Sequence, residues 1–495
     1  MLDSGTTSES STWFGGSVGR RLLVTLICAS VAAGTVVAVH RADPAPVRAA
    51  SGGLDRRDGQ QSGARVPPLN PTATRTNPVP ADPAAALAHL LTTRSAAIIS
   101  GDRAGWLAGV VAGSTAREKA FRTVQAQLFD RVRTVRPVAW RYQVTQGRSL
   151  PAARRAALGP TAWVAEVQLT YQLIRGGPQV QRQQFLTVVR RGSDWLIAAD
   201  TDGTTGRDVW DLGAISQAGS SRCLVIGART RRTEIEQLAT ECHRAAATVD
   251  AAWGKSWPRR TVLTVPADLA DLAVLLGRTT GTASPDATSG TEGAASGASP
   301  GTTGASTDTT DTDATAGLAQ TAAVTIGPAD GAADGVLING GAFDSLSAVG
   351  RRVVLTHELV HVATRATGSR SAPTWLVEGY ADHVAYAGTG LSAEQVAGDA
   401  LAEVRAGRVP ADLPAVDDFN AAGDGAAAAY GQSWVAVELI AGKAQDAARL
   451  KAFYQQAAVK GAGAAGLDAA LSTVGLGGTT DFVHLWQARL RRLAQ

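Results

Sequence analysis

The string His357-Glu358-Leu359-Val360-His361 sets two imidazoles four residues apart, with a carboxylate next to the first. On a helix, residues at that spacing project from one face, one turn apart, so both imidazoles can reach a single metal ion. Glu358, one position on, then lies beside the open coordination position, where a carboxylate can take a proton from metal-activated water. The chemistry of such a set is metal-assisted hydrolysis. Val353, Val354, Leu355, Leu359 and Val360 surround the pair, as a buried helix requires. For the string alone, the structural alternative is two histidines hydrogen-bonded on a core helix. Downstream, Gly368 supplies a helix stop and Pro373 suits the first turn of a new helix. That second helix holds Trp375-Leu376-Val377-Glu378-Gly379-Tyr380-Ala381-Asp382. Glu378 follows His361 at the distance of a helix end, a turn and an antiparallel return, which would complete a His₂Glu zinc site. Asp382 lies four residues on, along the same face, placed to accept a hydrogen bond from the outer nitrogen of a ligating histidine, His357 first.

The elements that must hold these helices run from about residue 221 to the end. Cys223 to Ala228 reads as a strand, Glu234 to Trp253 as an amphipathic helix, Arg260 to Val265 as a strand and Asp268 to Leu276 as a helix. From 279 to 317 there is no Val, Ile, Leu, aromatic, Lys or Arg, and such a stretch reads as a disordered insertion. It lies inside a domain, because strand patterning resumes at Ala322 to Ile326 and again at Val336 to Ile338, just before the histidine helix. After the site, Ser392-Ala393-Glu394-Gln395 is a capping box, and helical patterns continue over Gln432–Ala441, Gln445–Val459 and Thr480–Leu493. His243, His383 and His484 sit in helical patterns with no metal-ligand partner near in sequence and read as surface or packing histidines.

His-Glu-x-x-His followed by Glu-Gly-x-Ala on the next helix resembles the gluzincin metallopeptidases, particularly the bacterial peptidase MA-like group. The resemblance covers about 221–495. It implies a zincin-like domain with a twisted mixed sheet and a helical subdomain, and one Zn²⁺ per chain on His357, His361 and Glu378. It further implies that Glu358 is the general base in hydrolysis of a peptide or protein substrate, and that Asp382 matches the aspartate that orients a ligand in thermolysin-like relatives. Tyr430, in Ala429-Tyr430-Gly431-Gln432, resembles the tyrosine that supports the oxyanion in several gluzincins, against the plain alternative of a packing tyrosine. The chain departs from the large aminopeptidases in its shorter ligand spacing and in lacking Gly-Ala-Met-Glu-Asn, which argues against binding of a free substrate amine. A catalytically weak or inactive zincin-fold binding protein of the envelope is the alternative reading.

Upstream, 82–215 reads as helices (Ala85–Ser100, Arg117–Phe129) followed by strands (Val138–Val144, Ala162–Ile174, Val180–Val189, Trp195–Ala199), with Gly176-Gly177-Pro178 as a hairpin signal. That order is α+β and resembles the NTF2-like cones. The expected fold is therefore an α+β cone followed by a zincin-like domain. At the N-terminus, Arg20 and Arg21 precede an uncharged run from Leu22 to Val39, which at about 1.5 Å per residue spans roughly 27 Å, close to the hydrocarbon thickness. We read 1–19 as a cytoplasmic tail, 20–41 as a single transmembrane anchor and 42–81 as a disordered, Pro-rich stalk, with the catalytic domain outside the cell membrane. A long signal peptide cut near Ala49 or Ala50 is the rival, and either way the body is exported. Export makes Cys223 and Cys242 candidates for a disulfide, while three cysteines in 495 residues exclude a disulfide-built scaffold. A net charge of +4 with no basic patch interleaved with aromatics argues against nucleic acid as a partner.

Overall fold

The computed structural model describes residues 83–278, 317–327, 335–368, 371–420, 424–459 and 461–495. The expected tail, anchor and stalk, and nearly all of the 279–317 insertion, lie outside the described residues. Among those described, no helix is long and apolar enough to cross a membrane.

Three helices open the described residues: α1 (Pro83–Ser100), α2 (Arg103–Ala108) and α3 (Ala116–Val135). The side chains of Asp102 and Thr115 accept the N–H groups of Gly105 and Glu118, capping α2 and α3 where backbone donors would otherwise lack partners. They pack on a four-stranded antiparallel meander, β1 (Ala139–Ser149), β2 (Trp163–Gln172), β3 (Val180–Arg191) and β4 (Asp194–Ala199), paired in sequence order. A short helix, α4 (Ala152–Leu158), joins β1 to β2. Inside this unit the buried Arg94 guanidinium lies 3.2 Å from the Trp106 ring centroid and donates to the Trp106 carbonyl and to Gln125. The charge is thus answered within the core by a π face and hydrogen-bond acceptors.

After α5 (Val209–Leu212) the chain builds a five-stranded mixed sheet in the order β5-β6-β7-β9-β8. Its strands are β5 (Ile215–Gly219), β6 (Cys223–Ala228), β7 (Thr261–Val265), β8 (Ala323–Ile326) and β9 (Gly335–Ile338). The pairs β6–β7 and β7–β9 are parallel, and β5 and β8 are antiparallel edge strands. The parallel β6–β7 pair needs a crossover, and α6 (Arg232–Trp253) supplies it. Cys223 on β6 and Cys242 on α6 are joined in a disulfide with Cα atoms 6.3 Å apart. The stretch 216–220, which patterning assigned to neither unit, belongs to β5 and its turn. The second sheet therefore begins as soon as the first unit ends. One core runs across the junction: Trp106, Trp140, Tyr171 and Trp210 pack with Ile215, Ile226 and Val262. Trp140 stacks on Tyr171 at 5.4 Å, and Trp210 meets Tyr171 edge-on at 5.2 Å.

The remaining helices are α7 (Leu269–Leu275), α8 (Gly340–Asp344), α9 (Ala348–Ala366), α10 (Thr374–Tyr386), α11 (Ala393–Arg405), α12 (Asp424–Ala444), α13 (Ala447–Ala457), α14 (Gly463–Thr473) and α15 (Thr479–Leu493). The chain is of the mixed α+β class, with two sheets among the described residues and a largely helical C-terminal half. The main core joins β6, β7 and β9 through α6 to α9, α10 and the C-terminal helices.

Candidate metal centre

Helix α9 is capped by Ser347, whose Oγ accepts the Gly350 N–H at 3.1 Å, and it gives way to Gly368 at φ +82°. Every residue from Val353 to Thr364 is buried, so this helix is enclosed on all sides rather than laid on a surface. Helix α10 returns along it. Gly379 follows Glu378 because α12 leaves no room there: a Cβ at Gly379 would lie 2.4 Å from the Ser433 carbonyl oxygen. That close approach seats Glu378 and Asp382 against α9. Trp253, Tyr380 and Tyr454 form a T-shaped and tilted cluster, with centroids 5.0–5.5 Å apart, that walls the α10 side.

The result brings one nitrogen from each histidine and one oxygen of Glu378 within 4.8 Å of one another. His357 Nε2 and His361 Nε2 are 2.8 Å apart, and Glu378 Oε2 lies 3.3 Å from the first and 3.5 Å from the second. Ligand atoms around a tetrahedral ion with bonds of about 2.0–2.1 Å stand roughly 3.3–3.4 Å apart. Both carboxylate spacings match that figure, and the histidine nitrogens would part slightly to admit an ion. Glu378 Oε2 is buried and faces both nitrogens, yet it has no aligned hydrogen bond. A buried carboxylate oxygen in that condition is costly unless a cation occupies the point it faces. The three residues therefore fit a metal ion.

Asp382 Oδ1 lies 2.8 Å from His357 Nδ1, which fixes Nδ1 as the protonated nitrogen and turns Nε2 inward. Burial alone would lower the His357 imidazolium, but the carboxylates of Asp382 and Glu378 push it up to about 10. Burial raises the Glu378 carboxyl, and the two imidazoles outweigh it and bring it down to about 2. Asp382, enclosed deeply, is raised by burial despite His357.

Glu358, 1 % exposed, follows His357 on α9. Its Oε2 accepts a hydrogen bond of 2.5 Å from Thr325 Oγ1, on strand β8. Thr325 carries no signal in the sequence, because only the packing of β8 on α9 brings it near. Tyr430, on α12, is buried with its ring 5.1 Å from Phe419 at 82°. His383 pairs with Glu438 at 2.6 Å and His243 faces Ser221 at 3.4 Å, while the exposed His484 lies on α15, so none of the three joins the centre. A tetrahedral ion held by these three residues would keep one position open for water or substrate. No family model matches this chain, and neither do any curated proteins or solved structures.

Proposed function

We propose that the chain is a zinc metallopeptidase that hydrolyses peptide bonds in a peptide or protein substrate. One observation carries the reading: a buried His₂Glu set converges on one point, with Glu378 Oε2 lacking an aligned partner and a second buried carboxylate, Glu358, on the same helix as the histidines. His357, His361 and Glu378 would hold the ion, which supplies Lewis-acid polarisation of the scissile carbonyl and of water when bound. Asp382 keeps His357 in the ligating tautomer. Glu358 takes a proton from the attacking water and delivers it to the leaving amine, a role worth about 10²–10⁴-fold in rate. In the same reading 221–495 is a zincin-like domain of the gluzincin type, and the 82–215 unit is an NTF2-like cone that positions it. The N-terminal segment anchors both outside the cell membrane.

The test is zinc content and peptide hydrolysis of the full chain and of Glu358→Gln. We expect one zinc per chain in both proteins, with hydrolysis lost only in the variant. A chain that binds no zinc, or a variant as active as the wild type, removes the assignment. Deep burial of Glu358 favours one second reading, a zincin-fold envelope binding protein with little turnover. It predicts zinc retention with hydrolysis indifferent to Glu358. Tyr430 is our candidate for oxyanion support. Tyr430→Phe keeps the ring against Phe419, so a fall of about 10²-fold in kcat supports that role and an unchanged rate assigns packing alone.

A further inference from the structure

Thr325 is the third residue of β8, whose four residues are Ala323, Val324, Thr325 and Ile326. Side chains alternate along a strand. Ala323 belongs to the core shared with α9, whereas Ile326 packs on the other side with Leu272 and Leu337. Thr325 faces α9, and it alone among these four side chains bears a donor. Its hydroxyl has one proton and two acceptors in reach, Glu358 Oε2 at 2.5 Å and the Glu358 carbonyl at 3.1 Å. The carbonyl is engaged by the α-helical ladder, and a carboxylate is the stronger acceptor, so the proton goes to Oε2. Both residues are buried, and χ1 of a β-branched threonine is stiff. The last torsion of a glutamate is otherwise broad.

Resting on the metallopeptidase reading, we propose that Thr325 is the positioning residue of the general base: by holding Glu358 Oε2 it fixes the orientation of the carboxylate. In the step this serves, a water O–H bond breaks and its proton passes to the Glu358 carboxylate as the oxygen bonds to the carbonyl carbon. The C–N bond then breaks and the same proton passes from Glu358 to the amine nitrogen. Glu358 ends ionised as it began, and no further reactant is needed.

The test uses the full chain as wild type, Thr325→Val, Thr325→Ser, Thr325→Ala, Glu358→Gln and Glu358→Ala, with Thr325→Val also combined with Glu358→Ala. The probe is a peptide that the wild type cleaves, chosen from a proteome-derived peptide library. Thr325→Val should keep one zinc per chain and the wild-type KM while kcat falls about 10- to 100-fold. Thr325→Ser, which retains the hydroxyl, should recover most of the rate. Should the valine variant not fold, the serine–alanine contrast carries the same comparison. A second readout needs no turnover. In the metal-free chain, Thr325→Val should lower the melting temperature in the wild-type background and leave it nearly unchanged in Glu358→Ala. Additive melting shifts overturn the proposed contact. A rate that Glu358→Gln abolishes but Thr325→Val leaves intact overturns this assignment alone. A wild-type rate indifferent to Glu358→Gln overturns the peptidase reading and this assignment together.

Discussion

Two carboxylates in the second unit invite comparison, the half-buried Asp250 on α6 and the buried Glu378 on α10. Both are held below the ordinary carboxylate range although burial pushes each upward. At Asp250 the opposing force is donors: Arg259 Nε at 3.0 Å and Nη2 at 2.7 Å, Trp257 Nε1 at 3.0 Å, and Arg222. Its lone pairs are answered, and the cluster ties the end of α6 to the loop before β7. At Glu378 the opposing force is two imidazoles that point at the same place as the carboxylate, while Oε2 stays without an aligned bond. A depressed carboxyl therefore does not mark a functional centre by itself. What separates the two is whether the surrounding groups complete one another or converge on a point that none of them fills.

Four substitutions or conditions would break or sharpen that contrast. The largest effect belongs to Glu358→Gln, which should cut peptide hydrolysis by about 10²–10⁴-fold with zinc content unchanged by metal analysis. Next, Asp250→Ala should cost about 2–3 kcal/mol of stability, read from urea unfolding, without altering zinc content. This is below the loss for a fully buried pair because Arg222 and Arg259 keep 21% and 34% of their side-chain exposure. Loss of zinc in that variant would mean that the two clusters are coupled. Asp382→Asn should weaken zinc affinity about 10- to 100-fold in chelator competition, with little change in the unfolding midpoint of the metal-free chain. The smallest effect is a pH dependence. The folded Asp250 carboxyl titrates below its unfolded value of about 3.9, so its stabilisation is complete above that value and fades as pH falls through the folded one. The gap in urea midpoint between wild type and Asp250→Asn should accordingly be constant near neutrality and close in acid. A gap that widens in acid would reverse the sign of the argument.

The candidate ligands were legible because helical spacing is local. His357 and His361 need only α9 to share a face, and Glu378 and Asp382 need only α10. The return of α10 along α9 followed from Gly368 and Pro373. The Ser392–Gln395 box opens α11 with both reciprocal bonds in place, for the same local reason. What stayed hidden depends on contacts distant in sequence. Thr325 meets Glu358 across 33 positions, and nothing in Ala-Val-Thr-Ile announces it. Arg94 at the heart of the first unit is enclosed only by Trp106 and Gln125, distant in sequence. Strand β5 is five residues without strong alternation, and it takes its identity from pairing with β6. Helix α14 is mostly Ala, Gly and Ser, so its pattern is faint until Leu467 and Leu471 find the core.

Strand β8 is read by two sides of the molecule at once, which limits how the chain can vary there. Thr325 meets the candidate base on one side, and its neighbour Ile326 lines the cleft between the two units on the other, with Tyr171, Arg182 and Trp210. Four residues in strict register with β9 fix which side each one serves. A one-residue slip of Ala323–Ile326 against β9 would exchange the two sides, setting an aliphatic side chain under Glu358 and a hydroxyl in the cleft. Inheritance through this strand is therefore a matter of parity: register can drift by even steps, and an odd step turns the strand inside out.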